Sequence, residues 1–139
     1  AGSLMLIGGD PGIGKSTLSL QIAASFALQG QLVLYVCGEE SLEQTSMRAK
    51  RLGISADNVL FLNETDTSVI TRYIEELKPS LVVIDSIQIM YKPEITSAPG
   101  TVSQVRECAA LFMQLAKSRE VSILLIGHVT KSGDIAGPR

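Results

Sequence analysis

What most limits the folds open to this chain is an alternation of short, largely apolar runs with longer segments of helical spacing. The runs at residues 4–7, 32–36, 58–62, 81–84 and 121–126 are four to six residues long and bounded by turn-forming residues, as buried strands are. Between them, residues 15–29, 41–52, 68–78 and 102–118 repeat apolar positions every three or four residues. The expected inward faces are Leu18, Ile22 and Phe26, then Leu42, Thr45, Ala49 and Leu52. Ile70, Ile74 and Leu77 mark the third helix, and Val105, Ala109, Phe112 and Ala116 the fourth. Punctuation agrees: Gly30 and Gly53 close the first two helices, Ser41 with Gln44 suits a capping box, and Pro79 stops the third helix. Repeated strand–helix–strand units predict an α/β fold, a mainly parallel twisted sheet with helices on both faces, in one domain spanning residues 1–139. Composition suits this, with 45% hydrophobic but only 4% aromatic residues, because strands buried on both faces read as continuous Val/Ile/Leu runs.

The first strand runs directly into Gly9-Asp10-Pro11-Gly12-Ile13-Gly14-Lys15-Ser16-Thr17. Glycine, four residues, then Gly-Lys-Ser is the phosphate-binding P-loop pattern. Its glycines let the backbone wind so that successive N–H groups point at phosphate oxygens, and the helix that follows adds its positive end. Lys15 is expected to reach the β- and γ-phosphates, and the Ser16 hydroxyl to ligate Mg²⁺. A strand before the loop and a helix after it are the context the motif requires, which argues against a fortuitous glycine-rich turn.

Asp85 ends the most strand-like run, Leu81-Val82-Val83-Ile84, and is expected to hold Mg²⁺ as a Walker B carboxylate; by itself it would also suit a turn or a helix cap. Glu39 and Glu40 follow the second strand. Either could orient an attacking water, or both could complement a helix dipole, and spacing does not choose between them. His128, the single histidine, follows the last strand and reads either as a γ-phosphate sensor or as a structural group. In open α/β sheets the working groups lie beyond the carboxyl ends of the strands, so Lys15, Glu39, Asp85 and His128 are expected to converge on one edge. The polar segments 86–101 and 127–139 are long for connections and are candidate working surfaces. Lys131 and Arg139 read equally well as solvated charges, Arg106 as a surface charge or a subunit contact, and Cys37 and Cys108 as small core residues.

A net charge of -2, with Lys92 the one base in residues 86–101, gives no cationic footprint of a nucleic-acid binder. Two cysteines are too few for a disulfide framework and make the reducing cytoplasm the expected compartment; with one histidine they cannot build a structural zinc site. No apolar run approaches the roughly 20 residues of a membrane span, and no signal peptide is apparent. Strand-like residues begin at Leu4, so the sequence reads as a piece of a longer protein.

Together the segments resemble the ATPase core of the bacterial RadA (Sms) family of RecA-like DNA-repair proteins, over nearly the whole chain. The carriers are Gly8-Gly9-Asp10-Pro11-Gly12-Ile13-Gly14-Lys15-Ser16-Thr17, Tyr35-Val36-Cys37-Gly38-Glu39-Glu40-Ser41, Val83-Ile84-Asp85-Ser86-Ile87-Gln88 and Gly100-Thr101-Val102-Ser103-Gln104-Val105-Arg106-Glu107. Gly127-His128-Val129-Thr130-Lys131 and Ile135-Ala136-Gly137-Pro138-Arg139 complete them. The resemblance implies a RecA-like P-loop core that uses ATP and Mg²⁺, with Glu39 activating water and His128 coupling γ-phosphate state to DNA-binding loops. It implies that the segments after Asp85 and His128 line a DNA channel. It also implies a homo-hexameric ring moving on single-stranded DNA in branch migration, with the recombinase RecA as a candidate partner. Cys37 departs from the family's small residue, and Ile89-Met90 replaces a more polar pair. The family's zinc ribbon, KNRFG motif and Lon-protease-like domain are not in this sequence, so the chain alone is expected to bind ATP better than it hydrolyses it. Two other readings stand beside this one: an ATP-gated interaction module that does not translocate, and a P-loop kinase, against which no Arg-rich lid is present.

Overall fold

The computed structural model describes residues 2–9, 15–38, 42–51 and 58–128. Within them the alternation becomes β1 (Leu4–Gly9), α1 (Lys15–Leu28), β2 (Val33–Cys37), α2 (Leu42–Arg51), β3 (Val59–Asn63), α3 (Thr67–Leu77), β4 (Leu81–Asp85), α4 (Val102–Ser118) and β5 (Ser122–His128), with one 3₁₀ turn at Ile87–Ile89. The strands form a single sheet in the order β1-β5-β4-β2-β3, and every pair is parallel.

Crossovers between parallel strands are right-handed, and the strand order moves one way from β1 to β3 and back again through β4 to β5. That assigns α1 and α2 to one face and α3 and α4 to the other. Burial follows the same division. Leu34 and Val36 of β2, Val82 and Ile84 of β4, and Ile123 and Leu125 of β5 pack with α3 and α4. The intervening residues Val33, Tyr35, Leu81, Val83, Leu124 and Ile126 pack with α1 and α2. Strand alternation therefore fills two cores from one sheet.

Helix ends are set by local chemistry. Gly30, at φ 80°, ends α1, with the Gly30 N–H donating to the Ala27 carbonyl and the Gln31 N–H to that of Phe26, a Schellman arrangement that a side chain at Gly30 would strain. The Asn58 amide then donates to the carbonyls of Ala27 (2.9 Å) and Gln31 (2.6 Å), tying the end of α1 to the start of β3. Asp66 caps α3 by accepting from the Ser68 N–H at 2.8 Å, so the helix begins one residue before the spacing suggested. Thr101 caps α4 by accepting from the Gln104 N–H at 3.3 Å. The expected cap Ser41, the inward-facing Leu52 and the stop at Gly53 lie outside the described residues.

In α1 the inward face differs from the expected one. Ser19, Leu20, Ala23 and Ala27 are buried, while Leu18 is 45% exposed and Ile22 and Phe26 are only partly covered. The helix carries apolar residues on all sides, so spacing alone cannot select the stripe that meets the sheet. The faces of α3 and α4 agree better: Ile70, Ile74, Val105, Phe112 and Ala116 are buried, joined by Cys108 and Leu115.

Candidate functional site at the carboxyl edge of the sheet

Register fixes which strand ends are neighbours. Gly9, the last residue of β1, pairs with His128, the last of β5. Asp85, the last of β4, pairs with Ile126 on one side and with Cys37, the last of β2, on the other. Gly9, His128, Asp85 and Cys37 therefore lie along one edge of four adjoining strands. After β2 the chain leaves toward α2 and after β4 toward α4, on opposite faces of the sheet. Such a switch between neighbouring strands opens a crevice at their carboxyl ends, where ligands of open α/β sheets bind.

Lys15, Ser16 and Thr17 form the first turn of α1, directly after the glycine-rich segment, and it is the backbone of Gly9, Lys15, Ser16, Thr17 and His128 that is described. Asp10, Pro11, Gly12, Ile13 and Gly14 lie outside the described residues, as do Glu39, Glu40 and the segment 129–139 with Lys131 and Arg139. Asp85 is half-buried. Its carbonyl accepts the Gly38 N–H at 3.3 Å, which fixes the backbone one residue before Glu39 against the end of β4. The peptide between Asp85 and Ser86 is cis, and Ser86 is fully buried.

Residues 86–92 are packed down rather than open, whereas most of residues 93–101 is exposed, as their composition suggested. Ile87 and Met90 are buried, and the Tyr91 N–H donates to the Thr65 carbonyl while the Thr67 N–H donates to that of Tyr91. Further along, Gln104 of α4 holds the segment down. Its side-chain oxygen accepts from the Lys92 N–H at 3.0 Å, and its side-chain amide donates to the carbonyls of Ser97 (2.8 Å) and Ile95 (3.4 Å). Lys92, the segment's one base, lies 3.8 Å from both Glu94 and Glu107. Gln104 was not singled out by motif, yet a signal was present. It falls in register with Val105, Cys108 and Phe112 on the apolar face of a helix, and a buried amide must find partners.

The cysteines match their expected role. Cys37 and Cys108 are buried, Thr45 donates to the Cys37 sulfur at 3.6 Å, and burial pushes the Cys108 thiol up to about 11. A cavity of about 160 Å³ lined by Ile74, Glu75, Lys78, Pro79, Arg119 and Val121 lies at the opposite, amino edge, where α3 and α4 lead into β4 and β5. Among the described residues no helix is long and apolar enough to cross a membrane.

Comparison with known proteins extends this picture. A family model described as AAA domain matches residues 1–134. DNA repair protein RadA of Chlamydia muridarum is 57% identical over 138 residues, that of Bacillus subtilis 57% and that of Halalkalibacterium halodurans 58%. Each alignment takes in 99% of this chain and 30% of the relative, so the chain spans about 30% of the length of the curated relatives it matches. Among solved structures, one described as an ATPase domain superposes with a TM-score of 0.76 at 13% identity, covering 93% of this chain and 58% of that one. The fold is thus the α/β RecA-like P-loop fold, and the likeness read from motifs extends along the whole sequence.

Proposed function

The chain belongs to the AAA domain family, and we propose that it is the ATP-binding and ATP-hydrolysing core of a DNA repair protein. The observation that carries this reading is the register of the sheet. Gly9, His128, Asp85 and Cys37 end four adjoining strands at one edge, and the P-loop sequence joins β1 to α1 at that edge. RadA relatives at 57–58% identity support a role in DNA repair.

In this reading the backbone N–H groups between Gly9 and Thr17, to which Pro11 adds none, bind the phosphates, aided by the positive end of α1, and Lys15 balances the charge of the β- and γ-phosphates. A hydroxyl and a carboxylate are the oxygen donors that Mg²⁺ accepts, so Ser16 and Asp85 would hold it, the latter through water. When bound, the ion neutralises charge that develops between the β- and γ-phosphates. Glu39 orients the attacking water and accepts its proton, and His128, at the end of the strand beside β1, senses the γ-phosphate. The longer protein would act on single-stranded DNA and branched recombination intermediates in the cytoplasm, as a homo-hexamer with RecA as a partner. It would add a zinc ribbon and a Lon-protease-like domain to this single core.

ATP turnover by the intact protein with and without single-stranded DNA tests the reading. Stimulation is expected, together with loss of turnover but retained ATP binding in Glu39→Gln. Equal rates with and without DNA would sink the DNA-dependent motor. They would support instead an ATP-gated interaction module, a reading favoured by one observation: Lys92 is flanked by Glu94 and Glu107 and so offers little free charge to a phosphate backbone.

A further inference from the structure

Three segments that follow neighbouring strands interlock just behind the backbone that leads into Glu39. Besides the bond from the Gly38 N–H to the Asp85 carbonyl, the Glu64 N–H donates to the Cys37 carbonyl at 3.1 Å. Between these segments a side chain on Gly38 would force its neighbours to move. A Cβ built on it would stand 2.5 Å from Cδ1 of Ile89 and 2.6 Å from Cγ2 of Thr65. Ile89 closes the 3₁₀ turn that follows Asp85, and Thr65 is bound to the same segment through the Tyr91 N–H at 3.0 Å. At the segment's far end Gln104, 1% exposed, makes the three bonds to Lys92, Ile95 and Ser97 described above. One buried amide thus anchors a segment whose near end presses on Gly38.

We propose that residues 86–101 act as a strut that fixes the backbone at Gly38, one residue before Glu39, with Ile89 and Thr65 as its bearing on Gly38 and Gln104 as the positioning residue that holds its far end. This rests on the reading of Glu39 as the group that orients water. Such a group must be placed to a fraction of an ångström, whereas gripping phosphates depends on the separate loop after β1, so the strut governs turnover more than affinity. The segment's apolar interior and its paired lysine, at odds with a free loop, are what a strut requires.

The test compares turnover and affinity for a fluorescent ATP analogue in the intact protein, with thermal midpoints measured alongside. Gly38→Ala is expected to lower kcat on the order of tenfold to a hundredfold while affinity changes by no more than about twofold. Adding Ile89→Val and Thr65→Ser removes the two opposing methyl groups and should recover most of kcat. A merely structural role predicts the reverse, because trimming two more packed side chains would lower stability further and rescue nothing. Gln104→Glu keeps the shape of the side chain but loses both amide donors, and should likewise lower kcat more than affinity. Unchanged kcat in Gly38→Ala, or a triple variant no better than the single one, overturns the strut while Glu39→Gln still abolishes turnover. Full turnover in Glu39→Gln would overturn the reading of Glu39 and the strut with it.

Discussion

The helices bring more bulk to the α3/α4 face of the sheet than to the α1/α2 face, where three of the four buried apolar helix residues are alanines. Ile70, Ile74, Val105, Phe112 and Leu115 reach down from α3 and α4 onto Leu34, Val36, Val82, Ile84, Ile123 and Leu125. Against the other face α1 and α2 set three alanines, Ala23, Ala27 and Ala49, beside one large buried residue, Leu20, and much of the volume comes from below, from Tyr35 and from Phe61, whose ring centroid is 5.5 Å from that of Tyr35. Small residues let a helix backbone approach its neighbour closely. The alanines of the face that seats the phosphate-loop helix favour close spacing, and on the opposite face bulk provides more of the cohesion. The difference predicts that the two faces fail in opposite ways.

The largest effect is expected from making a hole on the bulky face. Phe112→Ala removes a fully buried ring from α4 and should cost about 3–5 kcal/mol, read from denaturant unfolding. Because α4 does not carry the P-loop, the folded fraction should bind ATP as tightly as before. A loss of affinity in that folded fraction would show that the two faces are not functionally separate.

The tight face should fail by overfilling. Ala23 is fully buried, so Ala23→Leu forces α1 away from the sheet and should cost about 1–3 kcal/mol. Here affinity should fall as well, since α1 begins at Lys15 and its first turn follows the phosphate loop. Stability lost with affinity intact would mean that the seating of α1 does not set the loop.

A smaller effect on the same face concerns a polar tie. The hydroxyls of Ser19 and Tyr35 are 2.7 Å apart in a buried hydrogen bond that joins α1 to β2. Tyr35→Phe keeps the ring and removes this bond, and should cost about 1 kcal/mol. An unchanged unfolding midpoint would assign the seating of α1 to packing alone.

How much of this was legible beforehand differs between the faces too. The strands, their parallel order-generating connections and the inward side of α3 and α4 follow from spacing, because those helices have one apolar stripe and a polar remainder. The candidate site was legible as a set of strand ends, since Asp85 and His128 stand where apolar runs stop, and the parallel register brings the backbone of Gly9 beside His128 and of Asp85 beside Cys37. What spacing concealed were contacts between segments far apart in sequence. Neither the crowding of Gly38 by Ile89 and Thr65 nor the use of Gln104 as an anchor leaves a local pattern. Residues 86–101 looked like a loop because proline, glycine and polar residues are common there, whereas burial of Ile87 and Met90 depends on distant neighbours, α4 and β5 among them.

Helix α1 is where pattern and packing part, and it supplies the smallest expected effect. Counting apolar positions at three- and four-residue spacing selects Leu18, Ile22 and Phe26, but the sheet takes Ser19, Leu20, Ala23 and Ala27. A hydrophobicity count favours large side chains, whereas apart from Leu20 the residues taken here are small. Leu28 sits at the last turn and is 85% exposed, despite belonging to an apolar run. Leu28→Lys should therefore change stability by no more than about 0.5 kcal/mol, against about 2–5 kcal/mol for Leu20→Ala at a fully buried position two turns earlier. Measured together, the pair asks which stripe of α1 is inside. Equal losses would mean that Leu28 is covered in the intact protein, and that α1 has a second apolar contact beyond the sheet described here.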